Sequence, residues 1–120
     1  MKLLVTGSRS IMDARIVTYA LEQTLQEFDI SLLYHGGAKG VDTLAGSWAT
    51  AHGIPIHMEP GRRGQYLRRD RLLVDRADRV VAIWDGASPG TYYTMKYAQE
   101  RGKLHYCWLE RHVKEEMGLL

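Results

Sequence analysis

The sequence predicts an α/β fold: one three-layer α/β/α domain over residues 1–120, with about five mainly parallel strands. Three observations predict it. Short apolar runs alternate with segments whose apolar residues recur at helical spacing, in the order β-α-β-α-β-α-β-α-β-α. Connections of that kind return each strand parallel to the last and cover the sheet with helices on both faces. The runs are short and nearly continuous in apolar residues, as strands buried on both faces are. Finally, 120 residues that are 45% hydrophobic and 25% charged supply one core and little room for a second.

Leu3–Thr6 (LLVT) is an apolar run ending at Gly7 and reads as a buried strand. After the polar turn GSRS, Asp13 is positioned to cap a helix whose apolar stripe is Val17, Leu21, Leu25 and Phe28. Ile30–Tyr34 is the second strand. A glycine turn leads into a helix with Val41, Leu44, Ala45 and Trp48 at i, i+3, i+4 and i+7, which Gly53 stops. Ile54–Met58 alternates as a third, less apolar strand, and EPGRRGQ is a loop. A basic helix runs from Tyr66 to Ala77, followed by Arg79–Trp84 (RVVAIW), the most strand-like run in the chain. DGASPG is a second glycine-bearing loop, Thr91–Arg101 a helix stopped by Gly102, and Leu104–Leu109 the fifth strand. From Glu110 the tail reads as a short helix. No linker, repeat or low-complexity tract interrupts the pattern.

A formal net charge of +2 is mildly basic and does not by itself advertise nucleic acid. The single cysteine, Cys107, has no partner within the chain, which suits a reducing cytoplasm. The apolar run in MKLLVTG is too short for a signal peptide, and no segment approaches membrane-spanning length, so no membrane partner is expected. Chemistry-bearing residues are few. Cys107 has no evident base, and His35, His52, His57, His105 and His112 lack metal-ligand spacing. No Ser-His-Asp arrangement can be argued, and neither a metal nor a cofactor is expected.

In open parallel sheets ligands bind beyond the carboxyl ends of the strands, where the strand order reverses. The informative loops are therefore GSRS, HGGAKGVD and DGASPGT, after the first, second and fourth strands. In YHGGAKGVDTLAG (Tyr34–Gly46), Gly36, Gly37 and Gly40 fall within five positions at a strand-to-helix junction. The segment is neither a Walker A motif nor the usual dinucleotide fingerprint. It predicts a phosphate at the helix N-terminus, on the backbone N–H groups of Gly37, Ala38, Lys39 and Gly40; the plainer alternative is a tight turn needed for helix–sheet packing. Asp42 stands in tension with an anion there, and caps the helix or bonds a ribose hydroxyl or adjacent backbone. His35, beside the loop, reads as a core or turn histidine.

Ser88 and Thr91, with the N–H groups of Gly90 and Thr91, offer a second place for phosphate or ribose, unless a hydroxyl simply caps that helix. Ser8 and Arg9 would add a hydroxyl and a guanidinium to the same ligand. Arg62, Arg63, Arg68, Arg69, Arg71, Arg76 and Arg79 form an arginine run. Asp70 and Asp75 pair with several of them as a solvated face, leaving one or two arginines near the helix start to face the ligand.

Taken in order, TGSR, GGAKGVDTLA, RRDRLLVDRADRVVAIWDG and SPGT resemble the SLOG superfamily of Rossmann-like nucleotide-binding domains. Within it they are similar to the small stand-alone cpYpsA-related branch, over almost the whole chain. Gly7, Arg9, Gly36, Gly37, Gly40, Asp42, Ala45, Ser88, Gly90 and Thr91 match that branch's pattern, whereas its Arg-Asn pair is Arg69-Asp70 here. The resemblance implies binding of a nucleotide or nucleotide-derived ligand, such as an ADP-ribose-like or nucleoside-phosphate molecule, often in signalling or phage–host conflict. It implies homodimers, and a site that includes Arg69 and Asp85.

Two related families imply other functions. Lonely Guy phosphoribohydrolases carry P-G-G-x-G-T-x-x-E, whose glutamate takes part in N-glycosidic cleavage. Aligning Gly90-Thr91 on that G-T puts Thr94 at the glutamate, so an N-glycosidase-type hydrolase here would need a carboxylate such as Asp42 or Asp85. The DNA-processing protein A family carries a G-S-R and a G-G-A-x-G-x-D loop and binds single-stranded DNA. Nucleic acid is thus the alternative partner, with Tyr66, Tyr92 and Tyr93 as stacking platforms.

Overall fold

The computed structural model describes all residues from Met1 to Leu120. Its elements run β1 (Lys2–Gly7), α1 (Ala14–Glu27), β2 (Leu32–His35), α2 (Val41–Ala51), β3 (Ile56–Met58), α3 (Tyr66–Arg76), β4 (Arg79–Trp84), α4 (Pro89–Glu100), β5 (Leu104–Leu109) and α5 (Glu110–Glu116). The five strands form one parallel sheet in the order β3-β2-β1-β4-β5. This is the three-layer, Rossmann-like arrangement that the alternation of elements predicts.

Strand periodicity divides the core. Leu3, Val5, Leu33, Val81 and Ile83 point to one face, where Ile16, Val17, Ala20 and Leu21 of α1, Val41, Ala45 and Trp48 of α2, and Val113 of α5 close over them. Leu4, Tyr34 and Val80 point to the other, against Leu73 and Val74 of α3, Ala77 just beyond it, and Ala98 of α4. Register pairs Val5 with Val81, so the central strands β1 and β4 are apolar on both sides.

Three boundaries differ by two residues from the sequence reading, and the others by one at most. β2 starts at Leu32, the first residue in register with β1, opposite Lys2; Ile30 lies outside the strand, though still buried. β3 keeps only three residues, all exposed, since it is a sheet edge with one partner. α4 begins two residues before Thr91, at Pro89, whose missing N–H costs nothing in a first turn. The Asp13 cap is present, with Oδ1 accepting from Arg15 N–H at 3.0 Å. No helix is long and apolar enough to cross a membrane.

The order matters for the site. β1 and β4 are neighbours, yet α1 leaves β1 for one face while α4 leaves β4 for the other. The two loops part at their carboxyl ends and open a crevice.

Candidate functional site

That crevice is a cleft of about 500 Å³. β1 and its loop supply Thr6, Gly7, Arg9 and Ser10; the glycine loop and α2 supply Ala38 and Asp42; α3 supplies Tyr66, Arg69 and Asp70; the start of α4 supplies Ser88, Pro89, Gly90 and Thr91. Loops separated by most of the chain thus meet on one edge.

The glycine loop satisfies most of its own amides. Gly36 and Ala38 donate N–H groups to Asp42 Oδ2 at 3.1 and 3.3 Å, and Gly37 donates to His35 Nδ1 at 3.0 Å. Of the four amides expected to cradle phosphate, those of Gly37 and Ala38 are therefore engaged within the loop, while those of Lys39 and Gly40 have no acceptor in the chain. The Lys39 side chain is exposed and borders a hollow beside Met58 that adjoins the cleft, sharing Arg9, Ala38, Tyr66 and Arg69 with it. Asp42 is not the N-cap: Gly40 holds that place with no side-chain cap, and Asp42 reaches back to the preceding backbone. The glycines serve close approach. A Cβ on Gly36 would lie 2.5 Å from Arg69 Cζ, and one on Gly40, where φ is +81°, would lie 2.6 Å from Ser8 O.

Burial pushes the Asp42 carboxyl up to about 6, with the Asp70 charge adding to the rise against the pull of the Ala38 and Gly36 amides and of Arg69. Burial, then the Arg69 charge, holds His35 below the usual histidine range. His35 is accordingly a neutral turn histidine, accepting at Nδ1 and carrying its proton on Nε2.

The β4 loop is organised by Asp85. Its Oδ1 accepts from the Ala87 and Ser88 amides, and its Oδ2 from the hydroxyls of Ser10 and Ser88, all at 2.7–2.8 Å. Burial alone would raise this carboxyl, but the four donors hold it well below the usual carboxylate range. Ser8 is 1% exposed and accepts at Oγ from Asp85 N–H, so it ties β1 to β4 behind the cleft and does not line it. Gly7 also serves packing, with Ile83 O and Val41 against its Cα.

With Ser88 occupied by Asp85, the first turn of α4 is left open. Pro89 has no N–H, and the first amide to find a partner is Tyr92, which donates to Ser88 O at 3.2 Å. The N–H groups of Gly90 and Thr91 have no acceptor in the chain. Thr91 is 5% exposed, lines the cleft, and its hydroxyl takes part in none of the protein's hydrogen bonds.

α3 forms the facing wall. The guanidinium groups of Arg9 and Arg69 lie 5.4 and 5.7 Å from the centre of the Tyr66 ring. Arg69 Nη1 donates to Gly36 O (2.6 Å) and Glu59 O (2.9 Å), and Nε donates to Asp70 Oδ1 at 2.6 Å. Asp70 Oδ2 accepts from Thr94 Oγ1 at 3.0 Å. Asp70 is therefore a cleft residue, not part of a solvated face. The signal for it was the departure from Arg-Asn at Arg69-Asp70, together with Thr94. Of the arginine run only Arg69 lines the cleft; Arg62, Arg68 and Arg71 border a separate groove outside α3.

Comparison with known proteins gives three matches. The family profile YAcAr, the YspA, cpYpsA-related SLOG family, matches residues 1–60, which hold β1, the glycine loop and α2. The chain is 32% identical to the Gene 61 protein of Mycobacterium phage D29 over 113 residues, 84% of this chain and 90% of that protein. Its fold matches DNA processing protein A from Helicobacter pylori, a structure described for its single-stranded DNA binding mode. That match has a TM-score of 0.62 at 17% identity and covers 99% of this chain and 73% of the other.

Proposed function

The chain belongs to the YspA, cpYpsA-related SLOG family, and from that premise we propose that its cleft binds a nucleotide or nucleotide-derived small molecule. The family and the fold support nucleotide or nucleic-acid binding as the general class. One observation carries the finer reading: two free amides of Gly90 and Thr91 and the unpartnered hydroxyl of Thr91, a residue only 5% exposed, lie together at the N-terminus of α4 on the cleft wall. An anion there gains three donors and the positive end of a 12-residue helix. Arg9, whose guanidinium lies over the Tyr66 ring, neutralises charge across the cleft. With the Gly37 and Ala38 amides engaged and the Asp42 carboxyl turned onto the β2 loop, the phosphate is read at the β4 loop, the second of the two places expected from the sequence. A setting in signalling or phage–host conflict is supported by the phage-encoded relative.

Thr91→Val tests this directly. It removes only the unpartnered hydroxyl, so the thermal midpoint should hold or rise. A hydrogen bond to a charged group contributes about 1.5–3 kcal/mol, so affinity for adenosine 5′-monophosphate or inorganic phosphate should fall roughly 10- to 100-fold by calorimetry. Unchanged affinity in the folded variant refutes the α4 site. Gly37→Val is the poorer test, because φ is +76° at Gly37 and a β-branched residue would be strained there.

We also propose a homodimer. Single-stranded nucleic acid is the second reading, favoured by the exposed rings of Tyr92 and Tyr93 on α4 and by the exposed Arg62, Arg63 and Arg68 at and before the start of α3.

A further inference from the structure

We infer that the cleft selects a ribose over a deoxyribose phosphate, with Asp70 accepting from the sugar's vicinal diol; this rests on the phosphate reading of α4. Three carboxylates lie near the cleft. Asp85 is outside its lining and already has four donors. Asp42 is 7% exposed, and the Gly36 and Ala38 amides fill both acceptor positions of its Oδ2, so only Oδ1 is left and it cannot take one hydroxyl on each oxygen. Asp70 differs. Its side chain is 19% exposed toward the cleft, and each oxygen has one donor, Arg69 Nε on Oδ1 and Thr94 Oγ1 on Oδ2. A carboxylate oxygen accepts two hydrogen bonds, so one position on each oxygen is left for a ligand.

The carboxylate is preset in direction and in distance. Arg69 cannot swing, because Gly36 O and Glu59 O hold its other nitrogen. Buried Thr94 links Asp70 to Gly90 O (2.9 Å), one turn along the helix that presents the free amides. One turn is about 5.4 Å of axis, the scale that separates a 5′ phosphate from the 2′ and 3′ hydroxyls of the same ribose. A diol offers two O–H donors to the two free positions; a 2-deoxy sugar offers one.

The probes are inorganic phosphate, ribose 5-phosphate and 2-deoxyribose 5-phosphate, titrated calorimetrically into the intact protein. The wild type should bind the ribose compound at least about 10-fold tighter than the deoxyribose one. Asp70→Asn should abolish that preference, while phosphate affinity holds or rises because a negative charge facing the cleft is removed. Equal affinity of the wild type for both sugars, with phosphate still bound, overturns the inference and leaves the phosphate site standing. Failure to bind phosphate at all sinks the phosphate site, and the inference with it. The wild-type ratio decides even where Asp70→Asn does not fold, and Asp70→Glu, which keeps the charge but moves it, should retain only part of the preference. A preference that survives a folded Asp70→Asn also overturns the assignment.

Discussion

Asp42 stands at the second position of α2 and turns back onto the loop it has just left, where Gly36 and Ala38 donate to it. Two amides do not offset its burial, so its carboxyl rises from 3.8 to about 6. The native state then binds the proton more tightly than the unfolded chain between roughly pH 4 and 6. Stability contributed by this group is greatest at the acid end and declines as pH rises through that window. His35 has the opposite sign: its lowered value means that stability is lost as pH falls below the usual histidine range. Asp42→Asn removes the first effect and leaves the second. The stability of the wild type minus that of the variant, from urea unfolding, should therefore fall by up to about 3 kcal/mol from pH 4 to pH 7. A flat or rising difference would show that the amides outweigh burial.

Among the elements, α2 and α4 both open on glycine-bearing loops, and their first turns have opposite fates. In α2 an acidic residue in the first turn returns to the loop, as a bound anion would. In α4 the corresponding acid, Asp85, lies before the helix and serves the preceding loop, so the helix itself is left open. α3 is divided as well. Arg69 faces inward and is held by Gly36, Glu59 and Asp70, whereas Arg62, Arg63 and Arg68 are exposed near its start. A DNA strand following that exposed face would release counterions, with a slope of about 0.7 per phosphate in log affinity against log salt. Binding of a single-stranded oligonucleotide should accordingly be weak, fall steeply with salt and be unaffected by Thr91→Val. Tight binding at physiological salt, lost on changing Arg62, Arg63 and Arg68 together to alanine, would make nucleic acid the better reading.

At the scale of the whole molecule, the two sides of the sheet are unequal. Sixteen buried apolar residues lie under α1, α2 and α5, against seven under α3 and α4. The thinner side also exposes Leu67 and Leu72 on α3 and Tyr92 and Tyr93 on α4. A standard interface removes about 800 Å² per partner, a modest share of the 6665 Å² this surface presents. Pairing of two copies through that side is the expected state, and light scattering should give twice the monomer mass at tens of micromolar. A strict monomer there would count against the dimer.

Much of this was legible along the chain. The order of elements, the parallel sheet and the edge that bears the cleft follow from hydrophobic periodicity and glycine punctuation, which are local properties. Residue types near the site were legible too: Arg9, the glycine loop, Ser88, Gly90 and Thr91 all lie at or beside the cleft. What the tertiary structure alone decided is which polar groups are still free. Asp42 and His35 take the amides of Gly36, Gly37 and Ala38, Ser8 and Ser10 meet Asp85 from across the sheet, and Thr94 on α4 reaches Asp70 on α3. Each donor and acceptor is claimed by whatever the packing brings within about 3 Å. That competition is settled between residues up to 77 apart in the chain, where neither spacing nor propensity carries information.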